Sequence, residues 1–155
     1  MSRWQNFKIW RGRLPHWRAD EVTYYVTFRH RRELNEVEVN HLLRALLKPT
    51  RWDVSTLCVL PCATELLCTI KHSPNGEAYE LSDIVEKAKQ KAGKEIIKKS
   101  GEKWPPFYTE SFDRIIRDEA EMEEKWQAIL ASAVDLELAK EPEDYAGLYV
   151  SGAPA

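Results

Sequence analysis

The sequence predicts an α+β domain built on an antiparallel sheet, and three observations carry that prediction. Short β-branched and aromatic runs alternate with longer stretches of helical periodicity. Two of the runs, 52–60 and 64–70, are separated only by Pro61-Cys62-Ala63, so an antiparallel pair is natural. The 155 residues are 43% apolar and 31% charged, which is material for one core without a signature of disorder.

Val22 to Phe28 is dense in β-branched and aromatic side chains and reads as the first strand. Asn35 opens a helix, with Glu38 in the capping-box position. Val39, Leu42, Leu43, Leu46 and Leu47 follow at helical spacing until Pro49 ends the pattern. Trp52 to Leu60 and Thr64 to Ile70 are the second and third strands, and His72 to Gly76 is a turn cluster. A second helix runs from Ser82 to Lys99 and ends before Gly101; its apolar side is Leu81, Ile84, Val85, Ala88, Ala92 and Ile96. Phe107 to Arg114 predicts a short strand or extended segment. Asp118, with Glu121 behind it, caps a third helix whose apolar side is Met122, Trp126, Ile129, Leu130 and Ala133. The order is the βαββαβ plan of ferredoxin-like domains, with helices on one face and an additional C-terminal helix. The chain reads as a single domain over 1–150, with a basic N-terminal arm over 1–20 and a flexible tail over 151–155.

The formal charge of −2 hides a strong asymmetry. Residues 1–32 carry eight Arg and Lys against two acids, and residues 110–155 carry four against twelve. A basic front end suits a polyanion, because each neutralised phosphate releases counterions. It suits equally the acidic C-terminal segment of this chain or of a second copy. No apolar run approaches the ~18 residues of a membrane span, so no membrane partner is expected. The three cysteines cannot all pair, and residues 1–13 lack the apolar stretch of a secretory signal, which predicts a cytoplasmic location.

Four segments in order carry a family pattern: Arg11 to Trp17 with Val22 to Arg29, Val59-Leu-Pro61 with Leu66-Leu67, Glu110 to Asp118, and Glu141 to Tyr145. Together they resemble the REP-associated tyrosine transposases of the single-tyrosine HUH group, over residues 10–149. The resemblance implies single-stranded or hairpin DNA as partner and a possible homodimer. It also implies a chemistry in which two histidines, one residue apart on a strand, hold a divalent metal such as magnesium that polarises a phosphate. A tyrosine on the last helix then forms a phosphotyrosine link. The one-residue spacing matters because alternate strand residues share a face.

The chain departs from that pattern where the chemistry belongs. The family's Pro-Asn-His-x-His-Leu-Leu reads here Pro61-Cys62-Ala63-Thr64-Glu65-Leu66-Leu67, so Ala63 and Glu65 stand at the histidine positions. Aligned through Ile115 to Asp118, the tyrosine falls on Ala128, and the following Asn-Asn-Pro is replaced by Ala131-Ser132-Ala133. No tyrosine lies between Phe112 and Pro142. Alanine offers a metal no lone pair, and Glu65 alone is a weak candidate ligand. The resemblance therefore implies a DNA-binding fold without catalytic residues or cofactor, magnesium being expected only if cleavage were retained.

Candidate DNA-binding side chains form three groups. Arg11, Arg13, His16 and Trp17 interleave charge with an aromatic, as single-strand binders do, or form an arm whose tryptophan packs on its own sheet. Arg29, Arg31 and Arg32, around His30, end a strand and flank a groove or a solvated loop. Lys87, Lys91, Lys94 and Lys98 lie within about a 60° arc of the second helix, as a phosphate track or a solvated face. Cys58, Cys62, Cys68 and His72 lack the paired Cys-x-x-Cys spacing of a zinc knuckle. Tyr24, Tyr25 and Tyr108 are the places for a relocated nucleophile, although strand tyrosines more often fill a sheet face. The leading reading is a DNA-binding protein that does not cut. The alternatives are an active nuclease rebuilt around Glu65 and a self-assembly or protein-interaction domain joining basic front to acidic back.

Overall fold

The computed structural model describes residues 22–151. In chain order these form β1 (Thr23–Arg29), α1 (Glu36–Leu47), β2 (Trp52–Val59), β3 (Ala63–Ile70), α2 (Leu81–Ser100), β4 (Phe112–Ile115), α3 (Glu119–Asp135), a 3-10 turn (Pro142–Asp144) and β5 (Leu148–Val150). The sheet order is β4-β1-β3-β2-β5 and every neighbouring pair is antiparallel. This is the α+β architecture that the alternating elements predict.

Local signals explain where the elements start and stop. Asn35 accepts from the Glu38 backbone N–H while Glu38 accepts from that of Asn35, both at 2.9 Å, which closes the capping box of α1. The Trp52 indole donates to the Leu46 carbonyl at 3.0 Å and so satisfies one of the orphan acceptors at the other end of that helix. Gly101 stops α2 in the left-handed conformation, φ 73°. Asp118 caps α3 by accepting from the Glu121 N–H at 2.8 Å.

Two apolar clusters lie on opposite faces of the sheet. Val26, Phe28, Leu57, Val59, Leu66 and Cys68 pack under α1 and α2. Cys58, Leu67, Leu148 and Val150 pack under α3, with Met122, Trp126 and Ile129. The two helices of the βαββαβ plan thus share a face, and the additional C-terminal helix covers the other. A bulge between Val54 and Thr56 makes this division possible. Val54 and Leu57 are an odd number of residues apart and yet serve the same cluster, so one extra residue is needed to re-phase the alternation.

One detail refines the expectation and one departs from it. The short strand expected over 107–114 is Phe112–Ile115, and Phe107 makes a bridge to His30. The intervening carbonyls of Tyr108 and Glu110 accept from the Lys89 ammonium instead of from a strand. β5 is an added strand that the sequence reading lacked. Three residues are too few to show a period, and β5 stands through its pairing with β2 and the burial of Leu148 and Val150. Gly147 lets it approach: a Cβ there would lie 2.4 Å from the Val59 carbonyl oxygen.

Candidate nucleic-acid interface

On the α3 face, one cross-strand row runs from Phe112 through Thr27 and Glu65 to Cys58. Strand alternation puts Tyr25, Arg29, Ala63 and Arg114 on the same face. α3 begins beside β4, where Glu121 accepts from Arg114 at 2.8 Å, and passes Tyr25, whose ring lies 4.8 Å from the Lys125 ammonium. It ends over Glu65, Cys58 and Leu148. Among the described residues, the helix therefore leaves one corner of the sheet open, formed by Thr27, Arg29 and Phe112. Arg29 is exposed there and Phe112 is 61% exposed.

Glu65 marks the inner edge of that corner. Its carboxylate accepts from the Tyr25 phenol at 3.1 Å and from the Ser132 hydroxyl. Ser132 also lies 2.9 Å from the Ala128 carbonyl, one turn back on α3. The structure thus brings together the positions that sequence alignment singles out: Ala63 and Glu65 on β3, Ala128 and Ser132 on α3. What they hold is a carboxylate clasped by two hydroxyls. Burial and then the charge of Glu65 push the Tyr25 phenol up to about 12, so it is a protonated donor at neutral pH and a poor nucleophile. The donor set does not fit the divalent metal that the resemblance implies. Ala63 contributes nothing, the Glu65 oxygens are taken by hydroxyls, and no trio of His, Cys, Asp or Glu is gathered among the described residues.

The arginines after β1 divide into two kinds. Arg29 and Arg31 are exposed, and the Arg31 guanidinium donates to the Pro105 carbonyl at 3.4 Å. Arg32 is engaged within the fold: it grips both oxygens of Glu38, at 2.9 and 2.7 Å, and donates to Glu102. The guanidinium holds both carboxylates below their ordinary range, Glu102 to about 2. His30 is buried and neutral, since burial lowers its pKa. Its Nδ1–H donates to the Pro61 carbonyl at 2.8 Å, which leaves Nε2 to accept from the Thr64 hydroxyl at 2.8 Å. It pins the turn that delivers Ala63 and Glu65.

Lys87, Lys91, Lys94 and Lys98 are exposed on α2, whose buried side joins the other cluster. The row therefore lies on the far side of the sheet from Glu65. Contact with Lys48 lowers the pKa of Lys91, so a fifth cation adjoins the row. Arg11, Arg13, His16 and Trp17 lie outside the described residues. Cys58 and Cys68 are buried in opposite clusters, which separates the cysteines weighed above as zinc ligands.

Sequence reading missed Lys89, Tyr108's neighbours and Phe112. Lys89 is only 6% exposed among exposed lysines of the same helix. Its ammonium donates to the Tyr108 and Glu110 carbonyls at 3.1 and 3.0 Å and to the Ser111 hydroxyl at 2.8 Å, and it sits 4.3 Å from the centre of the Phe28 ring. Burial lowers its pKa to about 8. The signal was its place on the apolar arc, four residues after Val85. Phe112 carried no such signal, because an isolated edge aromatic has no period.

Comparison with known proteins places this fold. No known family profile matches the sequence, and no curated protein matches it. Among solved structures, a REP-associated tyrosine transposase bound to a REP hairpin superposes with a TM-score of 0.64 at 13% identity, covering 87% of this chain and 82% of that one. A transposase-like protein from Deinococcus radiodurans gives a TM-score of 0.48 at 13% identity, covering 82% of this chain and 98% of that one. The first likeness establishes a transposase-like fold. Among the described residues no helix is long and apolar enough to cross a membrane.

Proposed function

We propose that this chain is a transposase-related DNA-binding protein that holds single-stranded or hairpin DNA without cutting it. The observation that carries the proposal is the corner around Glu65. The fold resembles that of a transposase bound to a REP hairpin, and the aligned site positions converge in space. Yet the groups gathered there among the described residues are a carboxylate, two hydroxyls and methyl groups, with neither a metal-binding set nor an activated tyrosine. Binding rests on Arg29, Arg31 and the open sheet corner, with residues 1–20 as the arm that precedes β1. Arg32 serves the fold in this reading. The lysine row on α2 is a second phosphate-contacting surface, within reach of a folded hairpin but not of a short strand in the corner.

The test is fluorescence anisotropy with a labelled stem-loop and an unstructured strand at two salt concentrations, with a denaturing gel for covalent adducts in magnesium or manganese. Salt-dependent binding without cleavage or adduct is the expected result. Absence of binding at low salt overturns the reading and favours self-assembly, for which β4 and β5 are the edge strands among those described. A monomer–dimer measurement by sedimentation on the same sample tests the homodimer.

A further inference from the structure

Lys89 is a lysine buried against neutral acceptors. Its Nζ lies 3.1 and 3.0 Å from the Tyr108 and Glu110 carbonyl oxygens and 2.8 Å from Ser111 Oγ. Burial disfavours the ammonium and brings its pKa to about 8, against the opposing pull of the Glu86 and Glu110 charges. Asp113 lines the small cavity that Lys89 and Ser111 share, and His30, whose pKa the Lys89 charge helps to lower, is neutral. The neutral amine fits this cradle as well as the ammonium does. It keeps two N–H donors, one for each carbonyl, and its lone pair then faces Ser111 Oγ, which turns from acceptor to donor. A hydroxyl whose proton is held by a buried base, itself oriented by further groups, is the arrangement of an activated nucleophile.

Ser111 also has a place to use that reactivity. It is exposed, and it lines a cavity of about 520 Å³ together with Thr27, Phe28, Arg29, Tyr108 and Phe112. That size is typical of a small-molecule site, which spans about 300–1,000 Å³. Three aromatic rings among its walls suit an apolar group. The Arg29 guanidinium in the same cavity is a cation available to the charge that develops on a carbonyl oxygen under attack.

We infer that Ser111 and Lys89 form a nucleophile–base dyad that hydrolyses esters of small apolar carboxylic acids bound in this cavity. Ser111 passes its proton to the neutral Lys89 amine as Oγ bonds to the ester carbonyl carbon. The tetrahedral intermediate collapses, the carbon–alkoxy bond breaks, and the alkoxide leaves as an alcohol with the proton from Lys89. Water then gives a proton to Lys89 and bonds to the acyl carbon, and Ser111 departs and recovers that proton. The net change is ester and water to acid and alcohol. The inference stands apart from the DNA-binding reading, so its failure leaves that reading untouched.

The experiment follows release of nitrophenolate from p-nitrophenyl butyrate by wild type and by Ser111→Ala. Ser111 is exposed, so the variant keeps the fold, and an unchanged circular dichroism spectrum verifies it. Other surface nucleophiles act equally in both proteins, so the difference between them reports the dyad. Wild type should turn over many equivalents of ester, and Ser111→Ala should fall to the rate of those side reactions. The difference should rise about tenfold per pH unit below about pH 8 and level off above about pH 9, as Lys89 loses its proton. A fluorophosphonate, which forms an Oγ–P bond with loss of fluoride and needs no turnover, should leave its adduct on Ser111 in a peptide map. Both results are required. Equal release by the two proteins, a difference indifferent to pH, or an unmodified Ser111 after fluorophosphonate treatment at about pH 9 overturns the dyad.

Discussion

Replacing Arg32 by methionine separates a structural arginine from those proposed to bind DNA. The guanidinium makes two bonds to Glu38, one to the Glu33 carbonyl and several to Glu102. The Arg32 side chain is 35% exposed, as is that of Glu102, whereas that of Glu38 is 8% exposed. Exposed pairs are worth about 0–1 kcal/mol, and stranding a buried charge costs about 3–5 kcal/mol. The Arg32–Glu38 pair falls between, so Arg32→Met should cost about 2–3 kcal/mol at pH 7. For a chain of this length that lowers the melting temperature by about 4–10 °C. The pH dependence has a definite sign. Arg32 is the main reason that the Glu38 carboxyl titrates below its ordinary range. Its contribution is therefore complete above the unfolded value of about 4.3 and fades as pH falls through the folded value. Urea unfolding of both proteins at pH 7 and at about pH 3 should show the gap closing in acid. Strand affinity at pH 7 should stay within twofold of wild type, while Arg29→Gln weakens it. A cost below about 0.5 kcal/mol at pH 7, a gap that persists in acid, or a loss of strand affinity matching that of Arg29→Gln would each refute the reasoning.

Gly147→Ala should destabilise by about 1–3 kcal/mol, because its methyl meets the Val59 carbonyl and the Tyr145 ring, whose hydroxyl donates to that carbonyl at 2.6 Å; thermal unfolding measures it. Replacing Lys87, Lys91, Lys94 and Lys98 by glutamine should flatten the salt slope for a stem-loop and leave a short unstructured strand unaffected, and unchanged binding of both would remove the row from the interface. Tyr25→Phe should cost about 1 kcal/mol in chemical unfolding, through loss of the bond to Glu65, with no change in strand binding. Lys89 has a folded pKa below its unfolded one, so folding excludes its proton and stability should rise between about pH 8 and 10; Lys89→Met should remove that rise in a pH series of unfolding curves.

The parts of the fold that were legible are those with a period or a cap. The capping box at Asn35 and Glu38, the helical spacing of α1 to α3 and the hairpin at Pro61 each depend on neighbours in sequence. β5 and the bulge at Val54 and Thr56 depend on partners far along the chain, and nothing within three residues announces them. The site divides in the same way. Ala63, Glu65 and Ala128 were found by alignment, and the structure supplies their convergence. Arg32 and Lys89 could not be sorted from their neighbours by charge alone, since the difference lies in what each reaches: Glu38 and Glu102 for one, the 108–111 carbonyls for the other.

The free cysteines turn the two-sided packing into something that can be timed. Cys58 is buried beneath α3, Cys68 beneath α1 and α2, and Cys62 is exposed in the turn between their strands. Burial raises both inner thiols well above their ordinary range, so neither reacts until its own layer opens. A thiol reagent will therefore label Cys62 at once and then read two protection factors, one for each side of the sheet. If α3 and β5 lift as a unit while the helix pair stays closed, Cys58 will label before Cys68, and the difference is the free energy that holds the two layers to a common fate.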